Sequence, residues 1–443
     1  MGSSAVASQT VSDDSSTALH EELVATEAIQ AREAIQRRTL RVLMVSQTLG
    51  SAGNSVAVTV GGRAAKSMLG ADTFAGSASA AVTLGGAVAG LTLSAVMARR
   101  GRRPGLFRGY AIAFIGAIAT VIALENRAFI LFLVALLFFG VGQGTNLLSR
   151  YAAADLATTA NRGKAISLLL FGSTFGAVSA QVLVGPCERA ARSLGLWGYS
   201  GPFVFAAVML VIGATNVVVR LRPDPLVIAG RVDANAPGGF RLPPLRPALR
   251  VIGGSPMAKV GLSSMIVAQA SMVAVMTMTP IHMADHGHSG TLAGYVIAVH
   301  VIGMFGLAPL VGRFVDRAGR IVAIAVGASI LVASTIVSAL AGYEPALLFL
   351  GLFLLGLGWS FAMIGGSTLV SESVPEAERV MVQGSADLLM SVCGGSAAFA
   401  SGFIKRSFGF HMLANVGTVA TLALLVLAWR TLRLRGSAVR PAV

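Results

Sequence analysis

Apolar stretches, each close to twenty residues long, recur along nearly the whole chain. They fall at about residues 42–62, 76–98, 106–124, 128–149, 165–185 and 202–220, and resume at about 258–281, 290–311, 321–341, 346–368, 381–403 and 411–429. A helix rising about 1.5 Å per residue needs about 20 residues to cross roughly 30 Å of hydrocarbon, so each run is predicted to be one membrane span. Residues 1–39 are polar: a Ser/Asp-rich start leads into a helix-forming stretch of mixed charge from Ala18 to Leu40. No apolar core precedes a cleavage site there, so this segment reads as a cytoplasmic tail and not a signal peptide. Between the sixth and seventh runs lies a Pro/Arg-rich stretch from Arg222 to Pro256. The expected layout is a polar tail (1–39), a six-helix bundle (40–221), a linker (222–257), a second six-helix bundle (258–432) and a short tail (433–443). This is an all-α membrane protein of twelve spans in two pseudo-symmetric bundles, the arithmetic of a duplicated membrane carrier.

Composition excludes a soluble alternative. Of 443 residues 55% are hydrophobic and 12% charged, and the mean hydropathy is +0.76; a soluble domain of that kind would expose large apolar patches to water. The 52 glycines suit close helix packing in lipid. Cys187 and Cys393 are too few for a disulfide framework and match no zinc spacing. The formal charge of +15 invites a nucleic-acid reading, which the placement of the arginines argues against. They crowd alternate loops, as at Arg99, Arg100, Arg102 and Arg103 and at Arg313, Arg317 and Arg320. This positive-inside asymmetry puts both termini and the central linker in the cytoplasm. The expectation is a multi-pass, monomeric protein of a bacterial-type inner membrane, with lipid and no nucleic acid as its surroundings.

An internal repeat supports the duplication. Gly101-Arg102 follows the second run as Gly319-Arg320 follows the eighth, and Asp155 and Glu372 occupy matching places after the fourth and tenth. The segment Gly312-Arg-Phe-Val-Asp316-Arg317-Ala-Gly319-Arg320 resembles the superfamily motif of major facilitator transporters, in the loop between spans eight and nine. The resemblance extends over essentially the whole chain after the tail. It implies a substrate site near the bilayer midplane and alternating access by rocking of the halves. A carboxylate at a helix end can cap a facing helix and pair with arginines. Asp316, Arg317 and Arg320 with Glu372, and Asp155 in the first half, are accordingly gating candidates, or else the arginines mainly orient the loops. In the first half Ala98 stands where the motif has its aspartate.

Candidate chemistry concentrates in spans seven and eight. Met272 with Met276, and His300 with Met304, are four residues apart and so share a helix face. Counted along the antiparallel helices, Met272 and His300 lie at similar depth. Thioethers and imidazole favour Cu(I) without a buried carboxylate, and methionine equally serves as a gap filler in helix interfaces. The two spacings resemble the Met-x-x-x-Met and His-x-x-x-Met signatures of the CcoA-like copper importers. That resemblance implies Met272, Met276, His300 and Met304 as metal ligands, copper as the imported substrate, and no permanently bound cofactor.

Further groups are open to two readings. His282, Met283, His286 and His288, at the mouth between spans seven and eight, either collect metal or form a solvated loop. Met390 and Cys393 on span eleven are relay ligands or packing residues. Asp387, a carboxylate within that span, serves proton coupling or pairs with an arginine near the cytoplasmic end. Asn54, Gln143, Asn146, Gln181 and Gln269 line the cleft or join helices. The alternative to copper is proton-coupled carriage of a small organic solute, as in flavin uptake or drug efflux. No Ser/His/Asp arrangement, phosphate-cradling loop or soluble catalytic domain supports an enzyme.

Overall fold

A computed structural model describes residues 4–157, 162–230, 232, 245–342, 344–375 and 378–438. The first half comprises α1 (Ser4–Leu69), α2 (Ala75–Arg100), α3 (Arg102–Glu125), α4 (Phe129–Ala154), α5 (Arg162–Ser193) and α6 (Ser200–Arg220). Two short helices follow, α7 (Pro225–Ile228) and α8 (Leu245–Gly254). The second half comprises α9 (Pro256–Asp285), α10 (Gly290–Val301), α11 (Ala308–Ala318), α12 (Arg320–Leu340), α13 (Pro345–Glu372) and α14 (Arg379–Ala438). Each apolar run falls on one of these helical segments, except that the run at about 290–311 is divided between α10 and α11. Among the described residues eight helices are long and apolar enough to span a membrane, and α10 with α11, bent by 41°, makes a ninth. The remaining runs lie within the long α1 and α5 and in α14, which is broken by a kink at Gly409 (φ 82°) and carries the last two.

Local chemistry explains the helix ends. Ser255 and Ser289 accept from the backbone N–H of Ala258 and Leu292 and start α9 and α10, with Pro256 filling the first turn of α9. The break in the eighth run is a wide turn, Ile302–Gly306, which sets Met304 and Phe305 at the bend.

The two arginine-rich corners share one geometry. Gly101 (φ 93°) and Gly319 (φ 92°) both take a backbone conformation that other L-residues resist, so each corner turns on a glycine. Arg102 then reaches Asp155 at 2.7 Å and Arg320 reaches Glu372 at 2.8 Å. The internal repeat is thus a repeat of contacts as well as of letters. Tyr110, Phe132, Phe139 and Phe203 fill the first half, and Met272, Met278, Met283 and Leu352 the second.

Candidate functional site

The two halves are sealed against each other at the face opposite the arginine-rich corners. A methyl on Gly76 of α2 would fall 1.8 Å from the Ala398 carbonyl oxygen of α14, and one on Gly294 of α10 would fall 2.3 Å from that of Gln181 on α5. These backbones touch because glycine leaves no side chain between them. Charges reinforce the seam: Asp285 of α9 binds Lys66 of α1 and, at 2.6 Å, Lys405 of α14, while Arg406 donates to Thr73 at 2.5 Å.

Toward the basic face, among the described residues, the halves are crossed by one ion pair, in which Arg150 Nη2 on α4 donates to Asp387 Oδ2 on α14 at 2.8 Å. Both side chains are partly exposed, at 23% and 32%. Gln143 and Leu147 are exposed on α4, and with Arg150 they follow helical spacing along one face. That face therefore looks across the cleft.

Near mid-depth the second half presents a polar aromatic group. Trp359 Nε1 of α13 donates to Gln269 Oε1 of α9 at 2.8 Å, and Phe305 meets the Trp359 ring edge-on with centroids 5.8 Å apart. Gly394 of α14 lets the Gln269 side chain approach closely. In the first half both amide atoms of Asn54 are buried without a protein partner, beside Gly142 of α4. Counting ~1.5 Å per residue from the basic ends of their helices, Asn54, Gln143, Gln269, Phe305 and Trp359 all lie roughly 16–20 Å in.

The soft-ligand quartet sits deeper in the second half. His300 is fully buried, with Nδ1 hydrogen-bonded to the Leu352 carbonyl at 2.8 Å and Nε2 buried and unpartnered. A methyl at Gly356 would meet the His300 carbonyl at 2.2 Å and Met304 Cγ at 3.1 Å, so both residues face α13. Met272 is 3% and Met304 8% exposed, and Met276 packs against the same apolar cluster.

The other candidates are largely tied into helix packing. His282 bonds the Gly342 carbonyl at 3.0 Å and stacks on Phe410, and His286 Nδ1 bonds the His282 carbonyl at 2.7 Å. Met283 is fully buried, His288 and Cys393 are half-buried, and Met390 packs beneath α8. Asn146 joins Tyr110 and Ser51, and Gln181 joins Thr59 and Ser55. Arg320 holds Glu372 and, at 3.7 Å, Asp316, whereas Arg317 is exposed outside that cluster.

Neither corner pair crosses between the halves, so Arg102–Asp155 and Arg320–Glu372 fasten each half to itself. In the first half Asp224, next to α7, supplies the carboxylate that Ala98 lacks, accepting from the backbone N–H of Arg102 at 3.1 Å and of Arg103 at 2.7 Å. The sequence offered no sign of this, because Asp224 lies far from the corner in order. Trp359 was also missed, since a tryptophan inside an apolar run reads as packing.

Two halves that repeat each other's corner contacts, sealed on one face and, among the described residues, bridged by one ion pair on the other, define a membrane carrier that works between two access states. The chain belongs to the major facilitator superfamily, whose profile matches residues 42–399 and 260–440. It is 38% identical over 408 residues to the uncharacterised MFS-type transporter YdeG of Bacillus subtilis, covering 90% of this chain and 93% of that protein. The riboflavin transporter RfnT of Brucella anthropi is 28% identical over 381 residues, 85% of this chain and 91% of that one. The fold matches the nucleoside transporter NupG with a TM-score of 0.68 at 14% identity, over 88% of this chain and 99% of that one. The xylose transporter XylE from E. coli matches at 0.66 and 15% identity, over 88% and 97%. The chain is therefore a secondary transporter, and the diversity of these neighbours means that the fold leaves the substrate to the cleft.

Proposed function

We propose that this protein carries a planar, hydrogen-bonding organic solute of flavin-like chemistry into the cell. The observation that supports this most is the Trp359–Gln269–Phe305 group at mid-depth. An indole face stacks on a flat heteroaromatic ring, a contact worth about 0.5–1.5 kcal/mol beyond its buried area. Because Gln269 Oε1 is engaged by the indole N–H, its Nε2 is left to donate to a solute carbonyl. The whole-length similarity to a riboflavin transporter agrees with this reading. The arginine-rich face is cytoplasmic on the positive-inside rule, so the structure corresponds to a state closed to the outside.

Counterflow in proteoliposomes tests the reading. Unlabelled riboflavin trapped inside should accelerate entry of labelled riboflavin through the wild type, and trapped xylose should not. Saturable counterflow of xylose with none of riboflavin would overturn the proposal.

A second reading, import of copper as Cu(I), is favoured by His300. Its Nδ1 is held by a backbone carbonyl while Nε2 stays unpartnered, the arrangement by which a ligating imidazole is usually oriented. Met272, Met276 and Met304 would be its companions. Isotopic copper uptake abolished by His300→Ala and untouched by Trp359→Ala would favour copper; riboflavin counterflow with the opposite sensitivities would exclude it.

A further inference from the structure

The outward face of α6 carries a recess well away from the cleft. A cavity of about 340 Å³ is lined there by Val211, Ile212, Thr215, Asn216, Val219 and Arg220, which share one side of the helix. From Val211 to Arg220 that side runs roughly 14 Å at about 1.5 Å per residue, close to the ~15 Å that one leaflet contributes to the hydrocarbon. The recess therefore extends from the arginine-rich face to about the middle of the bilayer.

Most of its length offers only hydrocarbon. Val211, Ile212 and Val219 are exposed aliphatic side chains. The polar donors between them are spent inside the protein: Thr215 Oγ1 donates to the Val211 carbonyl at 2.8 Å, and Asn216 Nδ2 donates to Ser46 Oγ at 2.7 Å and to the Val42 carbonyl at 3.0 Å, both on α1. A water-soluble ligand would find no donor short of Arg220.

At the basic end the balance reverses. Arg220 is exposed, and among the described residues no carboxylate pairs with it. The corner arginines differ, since Arg102 holds Asp155, Arg320 holds Glu372 and Arg103 Nε donates to the Val218 carbonyl at 2.9 Å. Asp224, one turn further along the chain, is occupied by the backbone N–H groups of Arg102, Arg103 and Leu226. Arg41 and Arg222 are also exposed and without an ion pair among the described residues. Arg41 adjoins Val42, whose carbonyl accepts from Asn216 one turn from Arg220. The mouth of the recess thus gathers positive charge that the protein does not neutralise.

We propose that this recess binds an anionic phospholipid from the leaflet that borders the arginine-rich face, with one acyl chain along Val211, Ile212 and Val219 and the phosphodiester on Arg220. A guanidinium can donate to two phosphate oxygens at once, and the neighbouring Arg41 and Arg222 favour a headgroup that carries no cation of its own. Bound there, the lipid braces α6 where the linker leaves it. The site is independent of the solute carried in the cleft.

Native mass spectrometry of the intact protein, in detergent with phosphatidylglycerol or phosphatidylcholine of identical chains, tests the assignment. The wild type should favour phosphatidylglycerol, and Arg220→Gln should weaken that lipid about fivefold, the equivalent of the roughly 1 kcal/mol that one cation contributes near an anionic surface. Phosphatidylcholine binding should be unchanged in that variant. Arg220→Lys should keep most of the preference, and Ile212→Trp, which fills the recess, should weaken both lipids. Arg430→Gln removes an exposed cation from the same face on α14 and should match the wild type. Inorganic phosphate should not displace the lipid. Melting temperatures in lipid-free detergent equal to the wild type establish that the variants are folded. A preference for phosphatidylglycerol that survives Arg220→Gln, or that falls equally in Arg430→Gln, overturns the proposal. So does a dimer that persists without lipid and is broken by Ile212→Trp, which would assign this face to a second copy.

Discussion

Gly76→Val puts a defined strain on the seam and on nothing else. The first carbon of the new side chain would sit 1.8 Å from the Ala398 carbonyl oxygen and 2.8 Å from its carbon, about 1.6 Å short of an ordinary contact. Both neighbours are helix backbone, so no rotamer change relieves the clash. Relief requires α2 and α14 to separate, which is the opening of the outer face. Overpacking of this kind costs about 1–3 kcal/mol, and 1.4 kcal/mol is a factor of ten in an equilibrium. The ratio of outward-closed to outward-open molecules should therefore fall by about 5- to 140-fold. Because Gly76 meets the other half there, each bundle keeps its own packing and the melting temperature should move little. Spin labels at Leu194→Cys and Leu340→Cys, exposed near the outer ends of α5 and α12, report the change: the variant should convert short distances into long ones. Gly90→Val, where a side chain meets nothing within 4 Å on the same helix, is the control and should match the wild type. A Gly76→Val distribution identical to wild type would refute the seam as the closing contact.

Other consequences are equally specific. Gly101→Ala must adopt φ 93° and brings a methyl to 2.5 Å from Asp224 Oδ2; loss of roughly 1–3 kcal/mol of stability is expected, seen as a lower melting temperature in detergent. Tyr110→Phe removes the hydroxyl that donates to Asn146 Oδ1 at 2.8 Å, and a loss of about 1 kcal/mol should appear in the same assay with transport retained. Lys66→Met leaves Asp285 paired with Lys405, so the protein should stay folded while outer-face label distances lengthen. Gln269→Ala removes the Nε2 donor offered to the solute and the partner of the Trp359 indole N–H, and should weaken riboflavin binding by about 10- to 100-fold, roughly 1.4–2.8 kcal/mol, the scale of a lost hydrogen bond that leaves a buried polar group unpaired.

Much of the architecture was legible because lipid imposes length and polarity on every span. The twelve apolar runs mark the helical segments, and the Gly101 and Gly319 corners mark the repeat. Asp387 stood out for a similar reason, since a carboxylate within an apolar run demands a partner; which arginine it meets depends on the packing of α4 against α14. The four-residue spacing of His300 and Met304 put them on one face, but not which neighbour that face would meet. Gly356 decides that by drawing α10 and the following turn onto α13. Trp359 escaped notice because its value lies in the Gln269 amide opposite it, 90 residues earlier in the chain. The inter-half charges were hard to read for the same reason: Lys66, Asp285 and Lys405 lie at the ends of three different helices.

The central claim, that Trp359 and Gln269 form the floor on which a flat organic solute rests, is tested most directly by fluorescence of a single-tryptophan protein. Trp197 and Trp429, each stacked by an arginine away from the cleft, are changed to Phe, leaving Trp359 as the sole indole emitter. Riboflavin should quench that emission saturably, and Gln269→Ala should shift the midpoint at least tenfold higher. Quenching that never saturates, or a midpoint indifferent to Gln269, would contradict the account.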